Sequence, residues 1–458
     1  MRITSILTLV SISSLLLFSS CKKDLLEEIA GKPSVTVPVV ADTAVITNPI
    51  LYKRVINVGT GSGNLTIDGS TMGLQCQDLI KIKGGSYGGI DIKNIISADG
   101  CPITIKNDGL VEVAGNFTQM KISNINNLTI SGDGTSGITK GFVFRDNTYR
   151  AIQIEGTLNN FTFQHASFKN IGDQCISYVY RTVYTGAEGS YAKNLKFLNI
   201  NCDNTQGLLS LDGAVDNGSV KGLVKNLEVA YVDFRNSATV GAVVYVGIAE
   251  DYDIHHNRVD NVNTAINNHN GIFGITGTGK FHDNYISNHQ GNAIRAWGVT
   301  MGSTAKSILI YNNIVTNSRK YSGFEVQSFD FSIIPGKTTF ANAVVFNNTC
   351  ANLNTSNDWQ GNVVDVYSLK GGKCDVYNNL AYNFQSSGVI AGQEADLIPN
   401  QFNNLNFKSS NEAGINETTF KLNSSSTAKN KGVATPIVIK DYYGSMRNTS
   451  APSIGAVE

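Results

Sequence analysis

Charge is scarce in this 458-residue sequence: Asp, Glu, Lys and Arg make up 16% of it, and 36 basic residues are balanced by 36 acidic ones. A zero balance removes the basic footprint of a nucleic-acid binder, so no nucleic-acid partner is expected. So little charge beside 45 glycines argues against a helical protein and for strands joined by tight turns. The seven cysteines include no CxxC pair, which removes the usual zinc spacing. One acidic turn, SGDG around Asp133, invites a calcium reading but lacks the further carboxylates of a calcium loop. No metal site is therefore assigned, and the cofactor question is left open, with calcium conceivable but without a motif.

What the chain has instead is repetition. A ten-residue phrase recurs eight times between Phe161 and Asn383: FTFQHASFKN, LKFLNINCDN, LEVAYVDFRN, YDIHHNRVDN, GKFHDNYISN, ILIYNNIVTN, the shorter VVFNNTCAN and CDVYNNLAYN. The copies close on Asn170, Asn204, Asn236, Asn261, Asn288, Asn317, Asn352 and Asn383, at intervals of roughly 25 to 35 residues, the spacing of a solenoid. A second column four residues earlier reads Asn257, Asn284, Asn313, Asn348 and Asn379. Asparagine tolerates the left-handed backbone and bonds to nearby main chain, so each column is expected to mark a bend. Two bends per repeat imply three short strands per coil.

The apolar residues alternate with polar ones at period two and so face inward. Phe163, Phe197, Val229, Ile254, Phe281, Ile310, Val345 and Val376 form one such column. Phe168, Cys202, Phe234, Val259, Ile286, Val315, Cys350 and Ala381 form another. Cys202, Cys350 and Cys374 are accordingly read as packed thiols, with disulfides allowed elsewhere in an exported chain. The third strand appears as GLLSLDG, GAVVYVG, GIFGITG, NAIRAWG, GFEVQSF and NVVDVYS. Stacking such coils gives parallel sheets with like residues about 4.8 Å apart.

At this point the chain resembles the right-handed parallel β-helix proteins, the pectate-lyase-like architecture. The expected fold is all-β: a single-stranded right-handed parallel β-helix with three strands per coil over residues 51–405, closed by a C-terminal capping segment over 406–458. Asp78, Ile80, Gly85, Tyr87, Pro102, Ile103 and Ile105 are similar to the opening of the chondroitinase-B and alginate-lyase type. Asp441, Gly444, Arg447, Ile454, Gly455, Ala456 and Glu458 are similar to the closing segment of many bacterial β-helix proteins. The resemblance implies a polysaccharide or glycan as partner. It carries no catalytic residue, because the lysine-arginine pair and calcium acids of the one type and the aspartate pair of polygalacturonases find no counterpart here.

The N-terminus, MRITSILTLVSISSLLLFSSC, joins Arg2 to an apolar run too short for a membrane span, then Ser19, Ser20 and Cys21. It reads as a signal peptide over 1–20 that resembles a lipobox, with Cys21 lipidated and a tether over 21–50. Export, anchoring in the outer membrane and exposure at the cell surface are expected, and the protein is expected to be a monomer.

Two outward columns on the third strand carry the candidate chemistry. One holds Ser210, Tyr245, Gly274, Arg295, Glu325 and Asp365; the other holds Asp212, Thr276, Trp297, Gln327 and Tyr367. Arg295, Glu325 and Asp365 on successive coils are the candidate catalytic set. Glu325 and Asp365 would act as acid and base about a saccharide bond, or a carboxylate and Arg295 would bind a uronic acid while a neighbouring base takes its C5 proton. Alternatively they form a surface ladder of ion pairs. Tyr245, Trp297, Gln327, Tyr367 and, from the preceding loop, Trp359 are the candidate substrate contacts. His255 and His282 share one column, and His165 and His256 the next; ladder packing is their first reading. His269 and His289, in loops leading into the third strand, are candidates for a base beside the groove, with Arg319 and Lys320 at its rim. A polysaccharide lyase or glycoside hydrolase is expected, the alternative being a non-catalytic glycan-binding or adhesive protein.

Overall fold

The computed structural model describes residues 51–458 except 217, 329–339, 360, 370, 385–389 and 395–396. The expected leader and tether, with Cys21, lie outside the described residues. The strands pair in parallel into one 28-stranded network, accompanied by a small antiparallel hairpin, Ala214–Asp216 with Ser219–Lys221. Each coil lays its three strands on those of the next. Residues 279–282 pair with 308–311, 285–287 with 314–316, and 294–297 with 324–327. The fold is a parallel β-helix.

The eight closing asparagines all adopt the left-handed conformation, with φ between 48° and 58°. Their side chains are also bonded from coil to coil: Asn204 donates to Asn170 at 2.9 Å, Asn261 to Asn236 at 3.0 Å and Asn317 to Asn288 at 3.2 Å. An aspartate stands in as acceptor three times, Asp146 for Asn170, Asp203 for Asn236 and Asp260 for Asn288.

The second column differs from its expectation. The left-handed residue at that bend comes one place earlier, at His256, Asp283, Asn312, Asn347 and Asn378, and the asparagine after it turns into the interior. Asn284 Nδ2 donates to Asn313 Oδ1 and to the Ile254 carbonyl, both at 3.0 Å, and the Asn284 amide donates to the same Oδ1 at 3.1 Å. The pattern repeats from Asn257 to Asn404. A bend strips backbone groups of their strand partners, and a buried carboxamide with two donors and an acceptor supplies them. The asparagine is therefore the filler of the bend and its neighbour the pivot.

Every member of the first apolar column is at most 1% exposed, and burying such a side chain stabilises by about 1.5–3 kcal/mol. Cys175, Cys202, Cys350 and Cys374 are free and buried, whereas Cys76 and Cys101 form a disulfide between the first coils. The C-terminal segment, expected over the last coil, docks along the flank of the stack. Two of the left-handed residues of the second bend, Asn312 and Asn378, bond to the segment. Asn312 donates to the Lys440 carbonyl at 2.9 Å and accepts from buried Arg447 at 2.8 Å, while Asn378 exchanges two bonds with Val433.

Candidate functional site

The third strands stack in the register expected of them. Ser210 pairs with Tyr245, Tyr245 with Gly274, Gly274 with Arg295, Arg295 with Glu325, and Glu325 with Asp365. The companion column runs Thr276, Trp297, Gln327, Tyr367. Gly274 interrupts the first column where a side chain would otherwise rise between Tyr245 and Arg295. The gap becomes the floor of a cleft of about 260 Å³ lined by Tyr245, His269, Thr276, Arg295 and Trp297 among others.

The three candidate catalytic residues are brought together but differ in access. Arg295 lines the cleft; its Nε donates to Glu325 Oε1 at 3.0 Å and its Nη1 to the His269 carbonyl at 2.9 Å. Glu325 is only 3% exposed. Asp365 is half-buried, and accepts from Asn362 Nδ2 at 2.6 Å. Burial raises the Asp365 carboxyl above the usual carboxylate range and Glu325 next to it adds to the rise, against hydrogen bonds from Ser322 and Asn362 that oppose it. Gln327 is a correction: expected to face substrate, it is fully buried, because its carboxamide turns to donate to the buried Glu325 carboxylate on the same strand.

Tyr245, Trp359 and Tyr367 are exposed by 48%, 48% and 39%, and Trp297 is half-buried in the cleft wall. Trp359 stands beside the site through Tyr321. The His269 ring stacks on Tyr321 at 4.0 Å and 11°, and Tyr321 meets Trp359 at 5.4 Å. Lys320 lies over Trp359 at 5.6 Å and pairs with Asp358 at 3.2 Å. Arg319 ties this loop to the one before it through Asn267, Gln290 and the Ile266 carbonyl. These contacts build one wall of the cleft from three loops.

Of the histidines, His269 reaches the cleft and touches the acids: its Nε2 is 2.8 Å from Asn292 Oδ1 and 2.9 Å from Glu325 Oε2. His289 does not. It is 2% exposed, and burial lowers it to about 4, which corrects its placement beside the groove. His255, His256 and His282 sit at the second bend, away from the cleft. Burial alone would lower His282, but hydrogen bonds to Asp253 and Asp283, both 2.7 Å, hold its charged form and raise it to about 9. It stacks on Tyr311 at 4.6 Å, so ladder packing is what its geometry shows. Among the described residues no group of histidine, cysteine and carboxylate side chains is arranged to hold a metal ion.

Asn292, Tyr321 and Ser322 are site residues that sequence reasoning passed over. Asn292 opens the strand NAIRAWG, three places before Arg295, and that offset was its only signal.

No family model matches the chain, and no curated protein does. Solved structures similar to it include pectate lyase Pel9A, at 12% identity and a TM-score of 0.46 over 90% of this chain and 97% of that one. Another is the PL6-family polysaccharide lyase Pedsa3628 from Pseudopedobacter saltans, at 14% identity and a TM-score of 0.45 over 83% and 97%. A PL6 alginate lyase in complex with a trisaccharide is similar at 13% identity and a TM-score of 0.34, over 86% and 94%. The fold assignment stands on the coil register above, and no residue role is taken from these proteins.

Proposed function

We propose that this chain is an exported, lipid-anchored surface protein that acts on a polysaccharide across its third-strand cleft, as a lyase or a glycoside hydrolase. The observation that carries the reading is the cleft itself. Tyr245 and Trp297 frame a gap at Gly274 that half-buried Arg295 and His269 line beside a buried carboxylate. Aromatic planes beside a fixed cation and a titratable ring suit a sugar chain, whose rings stack on the former and whose hydroxyl or carboxyl groups bond to the latter.

A panel of acidic and neutral polysaccharides, read for reducing ends and for bound polymer by affinity electrophoresis, tests this. Cleavage by the wild type is expected, and Trp297→Ala should weaken binding about 5- to 10-fold, the worth of one stacked ring. Retention of full affinity by that variant would move the site off this face. A non-catalytic glycan binder is the second reading, favoured by the burial of Glu325. Binding without cleavage of any polymer in the panel would select it. Anchoring rests on the sequence LLLFSSC alone: Cys21→Ser should abolish labelling by a fatty-acid analogue and release the protein from the membrane fraction.

A further inference from the structure

Hydrolysis by a carboxyl pair needs both acids at the scissile bond, one to protonate the leaving oxygen and one to attack or to activate water. Neither acid here is free to do so. Glu325 is buried under Arg295 and Gln327, and Asp365, half-buried, is held by Asn362. The titratable ring that does reach the cleft is His269, about a third exposed with a side-chain accessibility of 34%.

Its tautomer follows from its partners. Asn292 Nδ2 donates to the Ser322 carbonyl at 3.1 Å, so the amide oxygen is the atom that faces His269. The ring must then donate from Nε2, at 2.8 Å. In the neutral ring Nδ1 carries the lone pair, and Nδ1 has no hydrogen-bond partner among the described residues. Glu325 Oε2 lies 2.9 Å from the same Nε2 but off the N–H axis, and it accepts no hydrogen bond. Its contribution is charge: it stabilises the imidazolium that forms once Nδ1 takes a proton, as a buried carboxylate does for a catalytic histidine. Arg295 spends Nε and Nη1 on Glu325 and on the His269 backbone, which leaves its Nη2 edge to the cleft. A guanidinium edge beside a bare imidazole nitrogen matches a carboxylate one bond away from an acidic C–H.

We propose that the cleft is a uronate lyase centre in which His269 Nδ1 removes the C5 proton, Arg295 binds the uronate carboxylate, and Asn292 and Glu325 position the ring. This deepens, and rests on, the reading of the cleft as a saccharide site. The C5–H electron pair becomes the C4=C5 double bond, the C4–O4 bond breaks with its electrons going to O4, and the imidazolium returns the same proton to O4. Atoms and charge balance without a co-reactant. The backbone of Tyr245 stands two rungs from that of Arg295, about 10 Å along the stack, and the return of the proton falls to the imidazolium already at the sugar. One group serving both steps requires H5 and O4 on the same face of the sugar. Mannuronate and glucuronate meet that condition; galacturonate and guluronate do not.

The test uses the full chain with mannuronan, glucuronan, galacturonan and carboxyl-reduced mannuronan, read by the ultraviolet absorbance of the new double bond and by reducing ends. Absorbance is expected from the first two polymers. His269→Ala should lower kcat at least ~100-fold with an unchanged melting temperature, the loss expected for a missing general base. Glu325→Gln should lower kcat and spare KM, a split that a general structural defect would not give. Nitrogen-15 histidine spectra of the wild type should show the signal lost in His269→Ala as the Nε2-protonated tautomer. The opposite tautomer, undiminished elimination by His269→Ala, cleavage confined to galacturonan, or reducing ends without absorbance overturns the proposal and leaves the saccharide reading standing. Neither binding nor cleavage of any polymer overturns both.

Discussion

The bends and the third-strand face are built on one stacking distance and use it in opposite ways. At the inner bend the same carboxamide recurs from Asn257 through Asn284, Asn313, Asn348 and Asn379 to Asn404, each donating to the next. On the face the column reads Ser210, Tyr245, Gly274, Arg295, Glu325, Asp365 and never repeats a residue. A neutral amide is donor and acceptor at once, so identical copies bond to one another at the rung spacing. A charged group repels its own copy at that distance and must alternate with an opposite or neutral partner. Repetition therefore marks where side chains serve the coil, and loss of repetition marks where they are free to serve something else.

The largest effect should come from breaking the inner ladder. Asn313→Ala removes bonds to Phe281 and Asn348 and takes the acceptor from the Asn284 amide and from one of its two Nδ2 hydrogens, all buried. Unsatisfied buried groups cost about 1–3 kcal/mol each, so a loss of about 3 kcal/mol or more is expected in the denaturant midpoint. At the outer bend, Asn317→Leu forces a branched side chain to a φ of 56° and removes solvent-facing bonds to Asn288 and Asn352, at about 1–3 kcal/mol. The inner substitution should be the costlier. Equal losses would show that left-handed strain, and not the buried ladder, sets the worth of an asparagine here.

The same contrast explains what could be read without coordinates. The pairing of Tyr245, Gly274, Arg295, Glu325 and Asp365 was legible because aligning the third strands on their alternating apolar residues fixes which residues share a column. The inner asparagines were legible as a column but not as an interior one. Period alone does not say which of two adjacent residues takes the left-handed conformation and which turns inward. The contact of His269 with Glu325, and the burial of Gln327, depend on loops of unequal length that obey no period. The course of the C-terminal segment along Asn312 and Asn378 depends on bonds to their side chains, which the repeat left unassigned.

One place in the second bend does carry charge, and it sharpens the contrast by pH. His282 sits between Asp253 and Asp283, with Lys280 3.6 Å from Asp253 and His255 stacked at 5.1 Å. Its folded value of about 9 lies above the unfolded value of ~6.5. The stabilisation is therefore complete below pH ~6.5 and is lost as pH rises towards about 9, by something on the order of 1–3 kcal/mol. Thermal melts of the wild type should fall across that window, and those of His282→Gln should stay flatter. Parallel slopes would mean that the aspartates do not hold the charged ring.

The smallest effect belongs to Asp365, and its direction is informative. Burial raises this carboxyl in the folded chain, so the protonated form is favoured by folding and the ionised form is disfavoured. Below the unfolded value of ~3.9 the acid is neutral in both states and costs nothing. As pH rises through the folded value, wild type loses stability that Asp365→Asn, which does not titrate, retains. The other carboxylates titrate alike in the two proteins and cancel in the difference. The melting temperature of Asp365→Asn minus that of wild type should thus be smallest in acid, increase with pH and then level. A difference that shrinks as pH rises would mean that Asp365 is stabilised as the anion, as in a ladder of ion pairs with Arg295. The face would then obey the same rule of mutual satisfaction as the bends, and the broken repetition would be structural in origin.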